Sequence, residues 1–162
     1  MAIIPRRELE NVLSDYRWLL IYGRRKTGKT FYVREKGEYD RYLIVTRNKT
    51  LIDIDRGEEF SQREFQKILP LLIREERIVI DEFHRLDEPV FSTLQALSGR
   101  GRMILNNINN ALLQKSCQEP LFGLFELREV GLVDPRDAIL FARELGLKGR
   151  KLLEVACIAR EP

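Results

Sequence analysis

The run Gly23-Arg24-Arg25-Lys26-Thr27-Gly28-Lys29-Thr30 spaces two glycines, a lysine and a threonine as G-x-x-x-x-G-K-[ST], the Walker A pattern of a phosphate-binding loop. Each residue type has a physical reason to be there. Gly23 and Gly28 allow backbone angles that wrap the chain around an anion with no Cβ in the way. Successive amide N–H groups then point inward as an anion nest. The start of the following helix adds unpaired donors and the positive end of its dipole. Lys29 is a mobile point charge for the β- and γ-phosphates. The Thr30 hydroxyl suits Mg²⁺. Arg24, Arg25 and Lys26 add positive charge and are expected to face solvent. The candidate nucleotide contacts are thus Gly23, Arg24, Arg25, Lys26, Thr27, Gly28, Lys29, Thr30 and the adjoining Phe31.

A second cluster stands about fifty residues on, at Arg77-Ile78-Val79-Ile80-Asp81-Glu82. An apolar strand ending in two carboxylates is costly unless they face a cleft or a metal. Asp81 fits the Walker B role of holding hydrated Mg²⁺. Glu82 fits a general base that orients or deprotonates an attacking water. The next apolar run, Met103-Ile104-Leu105, delivers Asn106 and Asn107. Neighbouring side chains on a strand point to opposite faces, so at most one amide meets the site, and Asn106 is preferred. His84, the single histidine, reads as a loop residue near the surface. Arg128, Arg136, Arg143 and Arg150 are candidates for an arginine reaching a phosphate in cis or from a neighbouring copy, although each alone reads as a solvated residue.

These residues need a scaffold of buried strands with crossover helices. Trp18 to Tyr22 is an apolar run that suits a parallel strand covered on both faces, and Gly23 stops it. Gly28 to Glu35 is predicted helical. Tyr42 to Thr46, Arg77 to Asp81, Met103 to Leu105 and Phe125 to Leu132 supply further strands. Leu51, Ile52 and Ile54 suggest a short edge strand. Ser61 and Glu64 form a capping box for a helix carrying Phe65, Ile68, Leu69 and Leu72, in which Pro70 is a candidate kink. Asp87 is a candidate cap for a helix through Leu97. Asn110 to Lys115 reads as helical. Asp134-Pro135 is a strong helix start, Gly146 a stop, and Lys148 to Ala159 a last helix. Strands alternating with helices predict an α/β fold with a parallel sheet.

Composition agrees. The chain has 162 residues, the size of one domain, with 44% apolar and 33% charged residues, which argues against disorder. No apolar run approaches the ~18–20 residues of a membrane span, and Met1 to Leu9 lacks the apolar stretch of a secretory signal. A cytoplasmic protein with no membrane role is expected. The net charge of +3 is the small difference of 28 basic and 25 acidic residues, so nucleic acid as a partner is conceivable but unsupported. Cys117 and Cys157 stand apart from any Cys/His cluster, which argues against zinc and predicts two buried reduced thiols.

Taken together, the chain resembles the additional-strand P-loop ATPases, and more narrowly the archaeal AAA+/STAND-type ATPase family. Beyond the two Walker segments, the resemblance rests on Arg7-Glu8-Leu9, on "IDEFHRL" (Ile80 to Leu86), on "EPLFG" (Glu119 to Gly123) and on "DPRDAILFA" (Asp134 to Ala142). It implies a three-layer α/β/α core with a five-stranded parallel sheet of order 5-1-4-3-2, in which the added strand lies between the P-loop strand and the Walker B strand. It also implies ATP and Mg²⁺ as ligands, with hydrolysis coupled to conformational change. Residues 1–133 would form the core and 134–162 the first helices of a helical lid. Leu124 stands where relatives are expected to carry a basic residue, so that position offers no trans-acting arginine. Two functional classes follow: an ATPase, in which Glu82, Lys29 and Asn106 do the chemistry and Thr30 and Asp81 hold the metal, or a nucleotide-gated switch with little turnover. A homo-oligomer or a protein partner is compatible with either.

Overall fold

Alternate residues of the central strands feed two different cores. On β1 (Trp18–Tyr22), Trp18 and Leu20 join one apolar cluster while Leu19 and Ile21 join another. The same division runs through β2 (Arg41–Val45), β5 (Arg77–Asp81) and β6 (Arg102–Asn106): Leu43, Ile78, Ile80, Met103 and Leu105 face one side, Tyr42, Val79 and Ile104 the other. Strands apolar on both faces must be covered on both faces. Helices α1 (Arg7–Ser14) and α2 (Lys29–Lys36) cover one side, through Leu9, Leu13, Tyr32 and Val33. Helices α3 (Gln62–Glu75) and α4 (Glu88–Ala96) cover the other, through Phe65, Leu69, Ile73, Val90, Phe91 and Leu94. The result is the three-layer α/β/α arrangement expected from the sequence. The computed structural model describes residues 4, 6–24, 26–106 and 123–159.

The sheet has seven strands, completed by β3 (Thr50–Asp53), β4 (Glu59–Ser61) and β7 (Glu126–Glu129), in the order β4-β3-β2-β5-β6-β1-β7. Its five parallel strands, numbered among themselves, run 5-1-4-3-2, and β6 lies between β1 and β5 as the resemblance implied. The expectation of a purely parallel five-stranded sheet needs correction. An antiparallel hairpin, β3 with β4, extends the β2 edge. The segment around Leu51 is therefore an interior strand, and the edge belongs to β4, whose single apolar residue, Phe60, leaves it no readable pattern.

Local signals set most boundaries. The Ser61–Glu64 capping box is present: the Ser61 hydroxyl accepts from the Glu64 amide, and the Glu64 carboxylate accepts from the Ser61 amide at 2.8 Å. Helix α3 continues through Pro70 to Glu75. Asp87 precedes α4 without capping it; its carboxylate takes Lys49, and its amide donates to the Gln62 side chain. Asp134 caps α5 (Pro135–Glu144), accepting from the Arg136 amide at 2.7 Å. Helix α6 (Gly149–Ile158) packs on α5 around Ala138, Ala142 and Ala156. Arg7 ties α1 to α5 through the buried Asp137 at 2.9 Å.

Cys157 is exposed on α6, contrary to the expectation of a buried thiol. Cys117, Asn107, Arg25, the segment Asn110 to Lys115 and most of Glu119 to Gly123 lie outside the described residues. Among the described residues no helix is long and apolar enough to cross a membrane.

Candidate functional site

The loop between β1 and α2 adopts the unusual backbone that its glycines anticipate. Gly23 has φ +147°, Lys26 +61° and Gly28 +76°. A Cβ on Gly23 would lie 2.1 Å from the Val130 carbonyl oxygen, so the loop passes closer to the segment after β7 than any side chain permits. Gly28 starts α2, whose first turn has neither a capping side chain nor an acidic residue, which leaves its amide donors and dipole for an anion.

Lys29 is the first residue of that helix and is buried. Its ammonium arches back over the loop, donating to the Gly23 carbonyl at 3.0 Å, to the Arg24 carbonyl and to Thr27 Oγ1 at 3.1 Å. Burial lowers its pKa below the usual lysine value, and Asp81 pulls in the opposite direction. Arg24, Lys26 and Phe31 are exposed, the two basic residues as expected for a solvated rim.

The carboxyl ends of β5 and β6 bring the remaining groups together. Register places Asp81 opposite Asn106. Asp81 is 4% exposed and Asn106 fully buried. Asp81 Oδ2 accepts from Thr30 Oγ1 and from the Tyr42 hydroxyl, both at 2.9 Å, and Oδ1 accepts from the Glu82 amide at 2.9 Å. Asn106 Nδ2 donates to Thr30 Oγ1 at 3.1 Å. Its Oδ1 is a buried acceptor without a hydrogen-bond partner, the kind of atom that marks an open coordination or substrate position.

Glu82 follows with φ +58° at the start of the 3₁₀ turn Phe83–Arg85. Its carboxylate is paired with the Arg85 guanidinium at 3.1 Å and lies 3.6 Å from His84 Nε2. Arg85 also donates to the Val45 carbonyl at 2.8 Å, anchoring the turn to the end of β2. His84 lies in this turn, as expected of a loop residue, with its side chain part-buried and its Nδ1 without a hydrogen-bond partner.

Two contributors escaped the sequence reading. Tyr42 reads as one more apolar residue of β2, and nothing in the pattern reveals where its hydroxyl goes. Arg6 is 3% exposed; its guanidinium donates to the Thr27 carbonyl within the loop and to the Gly131 carbonyl at 2.9 Å. The arginines of the last third lie apart from these groups in their bonding. Arg128 pairs with Glu126 and Arg150 with Glu154, and Arg136 and Arg143 are exposed on α5.

The sequence profile of the AAA domain family matches residues 15–133. The chain belongs to that family. It is an AAA-type P-loop NTPase domain, and family members typically bind nucleotide with Mg²⁺. Solved structures share the fold at low identity. A STAND-class (Signal Transduction ATPase with Numerous Domains) protein with a tetratricopeptide repeat sensor from Pyrococcus horikoshii aligns with TM-score 0.65 and 19% identity, over 96% of this chain and 27% of its own. RuvB of Thermotoga maritima aligns with TM-score 0.53 and 18% identity, over 88% of this chain and 52% of its own. Cdc6p of Pyrobaculum aerophilum aligns with TM-score 0.51 and 16% identity, over 97% and 56%. The AAA domain thus spans between about a quarter and just over half of these proteins' lengths. No curated protein matches it in sequence.

The AAA site fits Mg²⁺ by its donor chemistry. Thr30 and Asp81 offer hard oxygen donors side by side, and Asn106 adds an unpaired amide oxygen next to them. Among the described residues no cluster of three His, Cys, Asp or Glu could hold a metal alone.

Proposed function

We propose that this AAA domain binds Mg-ATP and hydrolyses its β–γ phosphoanhydride, coupling turnover to conformational change. The observation that carries the reading is the bond from Thr30 to Asp81, which joins the glycine loop to the carboxylate strand at the foot of α2. The loop amides and the α2 N-terminus would bind the phosphates. Lys29 would move its charge from the loop carbonyls to the β- and γ-phosphates. Thr30 and Asp81 would hold Mg²⁺, which when bound supplies electrostatic stabilisation of developing phosphate charge. Glu82 would take the proton of the attacking water, and Asn106 would orient that water or the γ-phosphate. ATP rather than GTP is inferred from the family and from the lack of an N-K-x-D signature.

A second reading, a nucleotide-gated switch with little turnover, is favoured by one observation. The Glu82 carboxylate is tied to Arg85 rather than left to accept a proton. Phosphate release with and without Glu82→Gln separates the two. An ATPase loses about 10²–10⁴-fold in rate in the variant while still binding nucleotide. Wild-type release no faster than that of Glu82→Gln would leave the switch.

A further inference from the structure

Tyr42 carries its hydroxyl where a phenylalanine would satisfy every packing requirement. Its ring is fully buried in the cluster that includes Leu19, Ile21, Val33, Val79 and Ile104. Tyr39 meets the ring edge-on at a centroid distance of 5.4 Å, and the Arg34 guanidinium carbon lies 5.8 Å from its centre. A hydroxyl in such surroundings is expensive to desolvate unless it bonds strongly, and a carboxylate is the strongest acceptor available. It donates to Asp81 Oδ2 at 2.9 Å, onto the oxygen that also accepts from Thr30.

The arrangement has a consequence for Thr30. Two donors on Oδ2 and the Glu82 amide on Oδ1 hold the Asp81 carboxylate from three directions. A carboxylate fixed in this way keeps the Thr30 proton pointed at itself. The Thr30 oxygen, which accepts from only one described donor, Asn106, then has lone-pair capacity to offer a cation.

We propose that Tyr42 is a positioning residue for the metal: acting through Asp81, it orients the Thr30–Asp81 pair and so sets the Mg²⁺ affinity of the nucleotide complex. This inference rests on the proposed function, because it concerns the same site. Groups that hold a metal's ligands from behind typically change its affinity by 10–100-fold when removed.

The test is Tyr42→Phe in the full chain, with ADP as a nucleotide that is not turned over. Calorimetry measures ADP binding in EDTA and across a Mg²⁺ titration, and thermal melting reports the fold. The expected result is a rise of about tenfold in the half-saturating Mg²⁺ concentration, with ADP affinity in EDTA unchanged. In an Asp81→Asn background the same substitution should change the Mg²⁺ requirement far less, because the hydroxyl acts through that carboxylate. An unaltered Mg²⁺ requirement, whether or not the melting temperature falls, would overturn the inference and leave the hydroxyl a purely structural role. So would a Tyr42→Phe chain that does not fold. If wild type itself shows no Mg²⁺-dependent ADP binding, the proposed function falls together with the inference; if wild type does and Tyr42→Phe matches it, only the inference falls.

Discussion

Thr30 Oγ1 donates to Asp81 Oδ2 at 2.9 Å, although the two residues are 51 positions apart. One sits in the first turn of α2 and the other at the carboxyl end of β5, a strand two places away from β1 in the sheet. Their meeting depends on β6 lying between β1 and β5, which sets the distance that the α2 N-terminus must cover. In parallel α/β sheets, ligands bind at the carboxyl ends of the strands, and this pair lies there.

Gly23 should not tolerate alanine. A Cβ would meet the Val130 carbonyl oxygen at 2.1 Å, and φ of +147° is strained for any side chain. Val130 cannot simply retreat, because its amide donates to the Tyr22 carbonyl at 2.7 Å. Gly23→Ala is expected to lose about 2 kcal/mol of stability, or roughly 4–8 °C in melting temperature, together with phosphate binding. Thermal melting with and without nucleotide checks both effects.

Arg6 should matter more than a residue so near the chain start suggests. Its buried guanidinium holds the carbonyls of Thr27 and Gly131 and pairs with Glu8. Arg6→Ala leaves both carbonyls short of a donor and opens a gap beside the loop. A loss of about 2–4 kcal/mol is expected in urea denaturation. Arg6→Lys should recover only a minor part of it, since a single ammonium cannot reproduce the fork.

Acid sensitivity should trace in part to the ion pair of Glu76 with Arg41 at the start of β2. Hydrogen bonding from Arg41, opposed by burial and helped by Arg56, holds the Glu76 carboxyl below its ordinary value. A folded-state pKa below the unfolded one means that the unfolded chain binds more protons in the window between them. The contribution is therefore fully present above the ordinary glutamate pKa and is lost as pH falls through the lower, folded-state value. Glu76→Gln should flatten the fall in stability across that acid window and leave the slope near neutrality unchanged, as measured by urea unfolding over a pH series.

How much of this was legible in the sequence depends on what kind of physics was needed. Local chemistry read well: the loop glycines, Lys29 and Thr30, the apolar strand ending in Asp81, and the Ser61–Glu64 box all announce themselves within a few residues. The parallel strand order followed from the family resemblance rather than from periodicity. Strand β4 was invisible because three residues with one apolar side chain carry no alternation to detect. Tyr42 and Arg6 were missed for a common reason. Apolar patterning tells which face a residue occupies, whereas the partner of a polar atom comes from tertiary neighbours. Arg6 meets Gly131 across 125 positions, and Tyr42 meets Asp81 across 39.

The most direct test of nucleotide binding at this site is a calorimetric titration of Mg-ATP into wild type and Lys29→Ala, with GTP as competitor. Removing the only ammonium that overlies the loop among the described residues should abolish saturable binding while the fold persists. GTP should displace ATP poorly from the wild-type chain. Equal Mg-ATP affinity in the two proteins would contradict the assignment of the Gly23 to Thr30 loop as the phosphate site.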